Sequence, residues 1–458
     1  MHRRAYFAAA LSAALLACGA QTAVAAEAAP VVAKTASKPT ADLSAATSPE
    51  AVGFDAARLK LLDDYMGRVV ADGRVAGMTT LLARHGKVVE FKTYGKASLA
   101  TGQAMPKDEI FRIYSMSKPL TGVAMMILFE QGKWRLDDPV TRYVPEFKNL
   151  KVMVSADKDG KITAVEDMKR PPTMREIMSH TAGFGYGLGD KHPVDKLYRE
   201  KKVLASNGLH EMIDRTAQIP LMYQPGASWS YSSAVDIQGY IVEKLSGKPF
   251  GEFLQENVFG PLKMKDTGFY TGAAKAKRLA AVYVGERVND KETGKIVEAS
   301  ELFGNSMPDY SKPPAMESGG GGLVSTTMDY ARFCQMMLNK GQLDGVRILS
   351  PASVELMDTN VIPHNVLVTT NGTSGIRFNE AVGFGLDFQV DNDPRRAGFL
   401  EGKNTMSWGG AAGTWFWIDP TNDVFFVGMI QRMGGTGGDD LGAQARTLTY
   451  QALIHPEK

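Results

Sequence analysis

Two strand-like hairpins stand at opposite ends of this chain, and their separation narrows its folding options more than any other feature. The first runs through residues 78–84, turns at His85-Gly86 and returns through 88–94. The second runs through 414–418, turns at Asp419-Pro420-Thr421-Asn422 and returns through 424–430. Both are rich in Val, Phe, Tyr, Trp and Thr, with turn formers between the runs. Residues 383–390 add another strand candidate. The middle of the chain reads mainly as helix. Leu120, Val123, Ala124, Ile127 and Leu128 share one helical face. Thr173-Met-Arg-Glu176 is a capping box that opens a short helix through His180. Ile237, Tyr240, Ile241 and Leu245 form another face, closed by Gly247 and Pro249, and a further helix over 329–338 is capped by Thr326 or Thr327. Strands at both ends with helices between predict one discontinuous α/β lobe, 51–105 and 320–458, into which a helical lobe, 106–319, is inserted. Sites favour the cleft between such lobes.

The residues before this pattern read differently. His2-Arg3-Arg4 is a basic tip, followed by an apolar run over 5–17 and the small-residue stretch Ala23-Val24-Ala25-Ala26. That order matches a secretory signal over 1–25, and the run is too short to span a bilayer. Leu15-Leu16-Ala17-Cys18 offers a rival, a lipobox that would make Cys18 a lipid anchor, although Leu16 fits it poorly. Residues 26–50 are mostly Ala, Ser, Thr, Pro and Lys, which predicts a flexible tether. The expected location is outside the cytoplasm, periplasmic or secreted. Losing 1–25 removes Arg3 and Arg4 and takes the formal charge from +2 to zero. Such neutrality gives no electrostatic footprint for nucleic acid. No later apolar stretch is long enough for a membrane span. Seven scattered histidines make a metal cage unexpected, and Cys334, in an apolar helical stretch, reads as a buried free thiol.

Several catalytic signatures are absent. There is no Gly-x-Ser-x-Gly elbow, no His-Glu-x-x-His and no phosphate-binding loop. The Gly-rich stretch Gly183-Phe-Gly-Tyr-Gly-Leu-Gly189 follows a helix and reads as a flexible loop. Gly319–Gly322 lacks the Lys-Ser/Thr of a phosphate loop. Ser-x-x-Lys occurs twice. Ser155-Ala-Asp-Lys158 lies in a polar run and reads as a surface turn. Ser115-Met-Ser-Lys118 follows apolar residues 111–114 and opens the apolar helix. Pro119 is tolerated only in a first helical turn, so the helix begins close to Ser115. Unpaired N–H groups and partial positive charge at a helix start favour a developing alkoxide on Ser115. Lys118, three residues on, shares its face. Desolvation there disfavours the charged amine and lets it accept a proton. The alternative is a capping serine followed by an ordinary lysine.

Two further elements join this pair. Tyr231-Ser232-Ser233 directly precedes the 237–245 helix, and a tyrosine beside a lysine can relay a proton. Ser407-Trp408-Gly409-Gly410-Ala411-Ala412-Gly413 runs into the 414–418 strand, where glycines let a sheet-edge backbone approach a substrate and offer an N–H to an oxyanion. Read alone, each also fits a structural role, as a half-buried aromatic or a glycine bulge.

The three elements, in this order, resemble the serine β-lactamase and penicillin-binding superfamily. The flanks look most like class C β-lactamase-like esterases, the family VIII carboxylesterases. The phrases that carry the resemblance are Phe111-Arg-Ile-Tyr-Ser-Met-Ser-Lys-Pro119, Ser179-His-Thr-Ala-Gly183, Tyr223-Gln-Pro-Gly226, Gly319-Gly-Gly-Gly-Leu-Val-Ser-Thr326 and Trp408-Gly-Gly410, and similarity extends from about Gly53 to about Gln451. The resemblance implies an antiparallel sheet flanked by helices with an all-helical lobe. It implies Ser115 as acylated nucleophile, Lys118 and Tyr231 as base and proton relay, and the Ser115 and Ala411 N–H groups as oxyanion donors. Ser233 stands where many relatives carry Asn, and Trp408, Gly409 and Gly410 stand for the strand Lys-Thr/Ser-Gly motif. Trp408 cannot offer that lysine's cation to a carboxylate; an aromatic wall suits a neutral acyl or alkyl group. Arg432 after the last strand is a weaker candidate for an anionic substrate, its alternative being a surface arginine.

The expected activity is therefore hydrolysis of small carboxylic esters through an acyl-enzyme, with no metal or cofactor. Amide cleavage by the same site, as a β-lactamase or D-amino-acid peptidase, is the competing expectation, with acyl transfer as a variant. A binding or sensor protein that keeps only the fold is a third. The sequence leaves oligomeric state and natural substrate open.

Overall fold

In the computed structural model, residues 42–456 are described apart from 190–191, 290, 303–304, 370–377 and 437–439. The leader, Cys18 and most of the tether lie outside the described residues. Eight strands form the main sheet: β1 (Asp42–Ala46), β2 (Gly77–Arg84), β3 (Lys87–Gly95), β4 (Val382–Phe384), β5 (Gln389–Asp391), β6 (Thr405–Gly409), β7 (Trp415–Asp419) and β8 (Val424–Met429). Their spatial order is β1-β3-β2-β8-β7-β6-β5-β4, all antiparallel except the β1–β3 pair. The two expected hairpins become neighbours: β2 pairs with β8, Leu81 opposite Val427.

Both hairpin turns have local causes. His85 and Gly86 take φ of 54° and 71°, the double left-handed pair that matches strand twist in a two-residue hairpin. The Asp419 carboxylate accepts from the N–H groups of Thr421 and Asn422, folding the chain over Pro420.

Alternation along β8 makes the sheet the middle of three layers. Val424 and Phe426 face one side with Trp417, Leu62, Met66 and Tyr450. That side is covered by α1 (Ala56–Ala71) and by a last helix, Leu441–Tyr450. Phe425 and Val427 face the larger core on the other side, where Leu120, Val123, Met125 and Leu128 of α2 (Ser117–Glu130) are all fully buried. A helix buried all round, with no polar face, is a central element, so the single apolar face expected for it understates its burial. α3 (Met174–Met178) carries the expected capping box, and α4 (Ala234–Ser246) ends at Gly247 with φ 73°. α5 (Thr327–Leu338) is capped by Thr326, whose side chain accepts from the Asp329 N–H. Buried Cys334 is a free cysteine.

Four sequence expectations need correction. β1 takes residues assigned to the tether, because Leu43 is apolar enough to pack into the core. Residues 383–390 are not one strand: β4 and β5 pair antiparallel across a turn in which Asp387 has φ 66°. The inserted segment is helical but not purely so, since it carries hairpins Lys151–Ala156 with Ile162–Asp167 and Tyr283–Val288 with Lys291–Glu298. Most of their residues face solvent, which blurs the polar–apolar alternation that would have revealed them. Lastly, the 183–189 stretch is a packed loop: Phe184, Gly185 and Tyr186 are buried, and Asp195 accepts from the Tyr186 and Gly187 N–H groups at 2.8 and 2.7 Å. The other Ser-x-x-Lys is exposed as expected, but only Lys158 lies in the turn, since Ser155 belongs to the strand Lys151–Ala156. Among the described residues no helix is long and apolar enough to cross a membrane.

Candidate active site

Ser115 lies in a tight 3-10 turn, Tyr114–Met116, that leads directly into α2. Its approach is strained. Tyr114 has φ 41°, an uncommon conformation for a bulky side chain and one that clusters at functional sites. Pro119 falls in the first turn of α2, where its missing N–H costs nothing.

Lys118 and Tyr231 both reach Ser115. Tyr231 Oη donates to Ser115 Oγ at 2.7 Å, and Lys118 Nζ does so at 3.3 Å. The Lys118 ammonium also lies 4.4 Å from the centre of the Tyr231 ring. Ser115 and Tyr231 are partly exposed, whereas Lys118 is fully buried. The nucleophile candidate therefore faces solvent while its lysine lies beneath it.

Lys118 has two further acceptors: the Gly320 carbonyl at 2.6 Å and Tyr186 Oη at 3.1 Å. Three acceptors satisfy the three donors of an ammonium. α2 holds this Gly-rich loop along one edge, since Thr121 Oγ1 donates to the Gly319 carbonyl at 2.9 Å and Ser117 Oγ accepts from the Leu323 N–H at 3.1 Å. The loop requires glycine. A Cβ on Gly319 would stand 2.6 Å from the Val235 carbonyl, and one on Gly320 would stand 2.6 Å from Asp236 Oδ2 and 2.8 Å from Tyr186 Oη.

A buried polar shell surrounds the lysine. Asp236, in the first turn of α4, accepts from Ser318 Oγ at 2.5 Å and from the Gly320 N–H at 3.2 Å. Burial raises its carboxyl, and the Lys118 charge pulls the other way. Burial likewise pushes Asp387 well up, opposed by its hydrogen bond from Gln238 and by Lys118. Tyr186 is pushed well above the ordinary tyrosine range by burial, with Asp236 and Tyr231 adding to it, so it is a neutral phenol. Sequence reasoning missed Tyr186, Asp236 and Asp387. The one signal in the sequence is Tyr186 at the centre of a glycine stretch, a pattern that reads as flexibility.

The strand motif meets the same turn. Trp408 sits at the end of β6, its ring 5.6 Å from Tyr231 and 5.3 Å from Phe384. A Cβ on Gly410 would collide with the Ile113 carbonyl, two residues before Ser115, so the glycine lets the strand end close onto the nucleophile turn. Gly409 and Ala411 are exposed at this mouth.

Two candidates lie elsewhere. Ser233 is fully buried where α4 begins, its N–H bonded to the Gly185 carbonyl at 2.9 Å and its Oγ without a hydrogen-bond partner among the described residues. It packs the helix start and does not line the opening. Arg432 is neither a surface arginine nor in the site: it is 6% exposed, and its Nη1 donates to the Arg74 carbonyl.

Comparison with known proteins shows the family of the chain. The Beta-lactamase family profile matches residues 62–451. Protein Rv1367c of Mycobacterium tuberculosis is 34% identical, over 82% of this chain and 91% of its own. Esterase EstB of Burkholderia gladioli is 29% identical, over 81% of this chain and 91% of its own. The structure of EstCE1, described as a hydrolase with promiscuous acyltransferase activity, superimposes with a TM-score of 0.71 at 26% identity, covering 86% of this chain and 99% of that one. The chain belongs to the Beta-lactamase family. Within it, the protein is a serine hydrolase of the β-lactamase-like superfamily.

Proposed function

We propose that the protein is an exported carboxylesterase that works through an acyl-enzyme on Ser115. The observation that carries this reading is the 2.7 Å hydrogen bond between Tyr231 Oη and Ser115 Oγ, with Lys118 Nζ 3.3 Å from the same oxygen. Both oxygens are hydroxyls, so a proton can pass along that bond in either direction. With the Tyr231–Lys118 pair holding one proton fewer than phenol plus ammonium, Ser115 Oγ attacks the ester carbonyl and passes its proton to that pair. The Ser115 and Ala411 N–H groups hold the oxyanion, and the same proton goes to the departing alcohol. Water then attacks the acyl-enzyme by the reverse path and releases the acid.

The substrate class follows from the mouth of the site. Trp408 and Tyr231, with buried Phe384 packed behind Trp408, form an aromatic wall and offer no cation, which suits a neutral acyl or alkyl group better than the carboxylate of a β-lactam. Similarity to Esterase EstB supports the same class. Acyl transfer to an added alcohol is a second outcome of the same intermediate, in keeping with the activity described for EstCE1. Export rests on the basic tip, apolar run and small-residue stretch of residues 1–26.

The test compares wild type with Ser115→Ala on nitrophenyl butyrate, followed by intact mass. Turnover and a trapped butyryl adduct should appear in wild type alone. Undiminished turnover in the alanine variant sinks the nucleophile assignment.

A further inference from the structure

The phrase Ser179-His-Thr-Ala-Gly183 has no part in the chemistry above, yet His180 stands directly behind Tyr231. His180 is fully buried, and its ring centre is 5.0 Å from that of Tyr231. Its backbone carbonyl accepts from the Ser230 N–H at 3.0 Å. Its ring Nδ1 pairs with Ser232 Oγ at 2.9 Å. One residue therefore holds the chain on both sides of Tyr231, at 230 and at 232, and also backs the ring between them. Resting on the assignment of Tyr231 to the proton relay, we infer that His180 is a positioning residue that fixes Tyr231 Oη against Ser115 Oγ.

The local backbone shows how this clamp arises. α3 ends at Met178, and the Thr181 N–H returns to the Glu176 carbonyl at 3.0 Å. His180 takes φ 59° in that reversal, a left-handed conformation that His, Asn and Asp adopt more readily than other side chains. The ring then enters a pocket of Trp229, Tyr231 and Phe384, with centres 5.8, 5.0 and 5.5 Å away. Nε2 has no hydrogen-bond partner among the described residues, so the Ser232 bond and the packing of these three rings set the ring's rotation. Burial, with the Lys118 charge adding to it, holds the imidazole well below its ordinary range. It is neutral and does not compete for the Ser115 proton.

The importance of the clamp comes from the short reach of proton transfer. Catalytic groups work within hydrogen-bond distance, and a shift of about 1 Å costs on the order of 100-fold in rate. The experiment measures kcat and KM on nitrophenyl butyrate per site titrated with a fluorophosphonate, which removes any misfolded fraction. Ser232→Ala and His180→Phe are expected to lower kcat by about 10- to 100-fold with KM nearly constant. His180→Asn keeps a polar group near the Nδ1 position and tolerates the left-handed backbone, and it should recover most of the rate. In a Tyr231→Phe background, adding Ser232→Ala should cost nothing more, because the clamp has lost its object. Wild-type kcat in both Ser232→Ala and His180→Phe overturns the inference. So does a Ser232→Ala loss that persists in full without the Tyr231 hydroxyl. Full activity of Tyr231→Phe alone overturns the underlying relay assignment, and it is read without any histidine variant.

Discussion

The Gly320 carbonyl oxygen lies 2.6 Å from Lys118 Nζ, the shortest of the three hydrogen bonds that lysine makes. A residue with no side chain thus holds the buried amine through its backbone, and the absence of a Cβ leaves room for Asp236 and Tyr186. Gly320→Ala should be folded but displaced there, since its Cβ would stand 2.6 Å from Asp236 Oδ2. Overpacking of this kind costs about 1–3 kcal/mol. The rate should fall by roughly tenfold or more. Thermal unfolding and steady-state kinetics on one preparation separate the two effects.

Lys118→Met keeps the volume and removes the amine. Acylation should fall by on the order of 10² to 10⁴, the usual worth of a positioned acid–base group. Stability should fall, because methionine leaves the buried Gly320 carbonyl and Tyr186 Oη without the amine donor and removes the charge that opposes the burial of Asp236 and Asp387. Rapid-mix mass spectrometry would show the butyryl adduct forming slowly or not at all, with Tm lowered.

Trp408 touches no reacting atom, so its effect should fall on binding. Trp408→Ala removes the ring packed at 5.6 Å from Tyr231 and 5.3 Å from Phe384. KM for nitrophenyl butyrate should rise by about 10-fold, near the low end of what a hydrophobic pocket discriminates. Trp408→Lys should shift preference toward substrates that carry a carboxylate, measured as the ratio of kcat/KM for a charged and a neutral ester.

Glu109 gives stability a pH dependence distant from the chemistry. It is 2% exposed and Oε2 has no hydrogen-bond partner among the described residues. Burial, with Asp108 adding and Arg278 opposing, pushes its carboxyl up to about 7 from an ordinary 4.5. Between those values the folded chain holds more protons than the unfolded one, so this contribution is lost as pH rises from 4.5 to about 7. Glu109→Gln should leave Tm unchanged at pH 4.5 and raise it at pH 8 by about 1–3 °C. His180 acts in the opposite direction, destabilising as pH falls below its ordinary 6.5, but it is common to both proteins and cancels in the comparison.

Which parts of this molecule were legible in the sequence follows from the range of the forces involved. His85-Gly86 and the Asp419 turn are set by neighbours in the chain, so both hairpins could be placed to within a residue or so. Ser115, Lys118 and Tyr231 stand at helix starts, where a local cap or a proline marks the position. Tyr186, Asp236 and Asp387 carry no such mark: their burial depends on what packs over them, and a buried aspartate reads like an exposed one. Glycine misled at 183–189 because the same residue serves loose turns and tight packing. At Gly183 the second applies, since a Cβ there would lie 2.6 Å from the Tyr223 carbonyl.

The pairing of β2 with β8 also bears on how the molecule reaches this state. Leu81 cannot meet Val427 until nearly all of the intervening chain has been synthesised, and the sheet stays open along that edge until then. Contacts between residues so far apart in sequence slow folding, and an unpaired apolar strand edge is prone to aggregation while it waits. The chain therefore spends its synthesis with its central sheet incomplete, a period in which binding by a chaperone would protect it most.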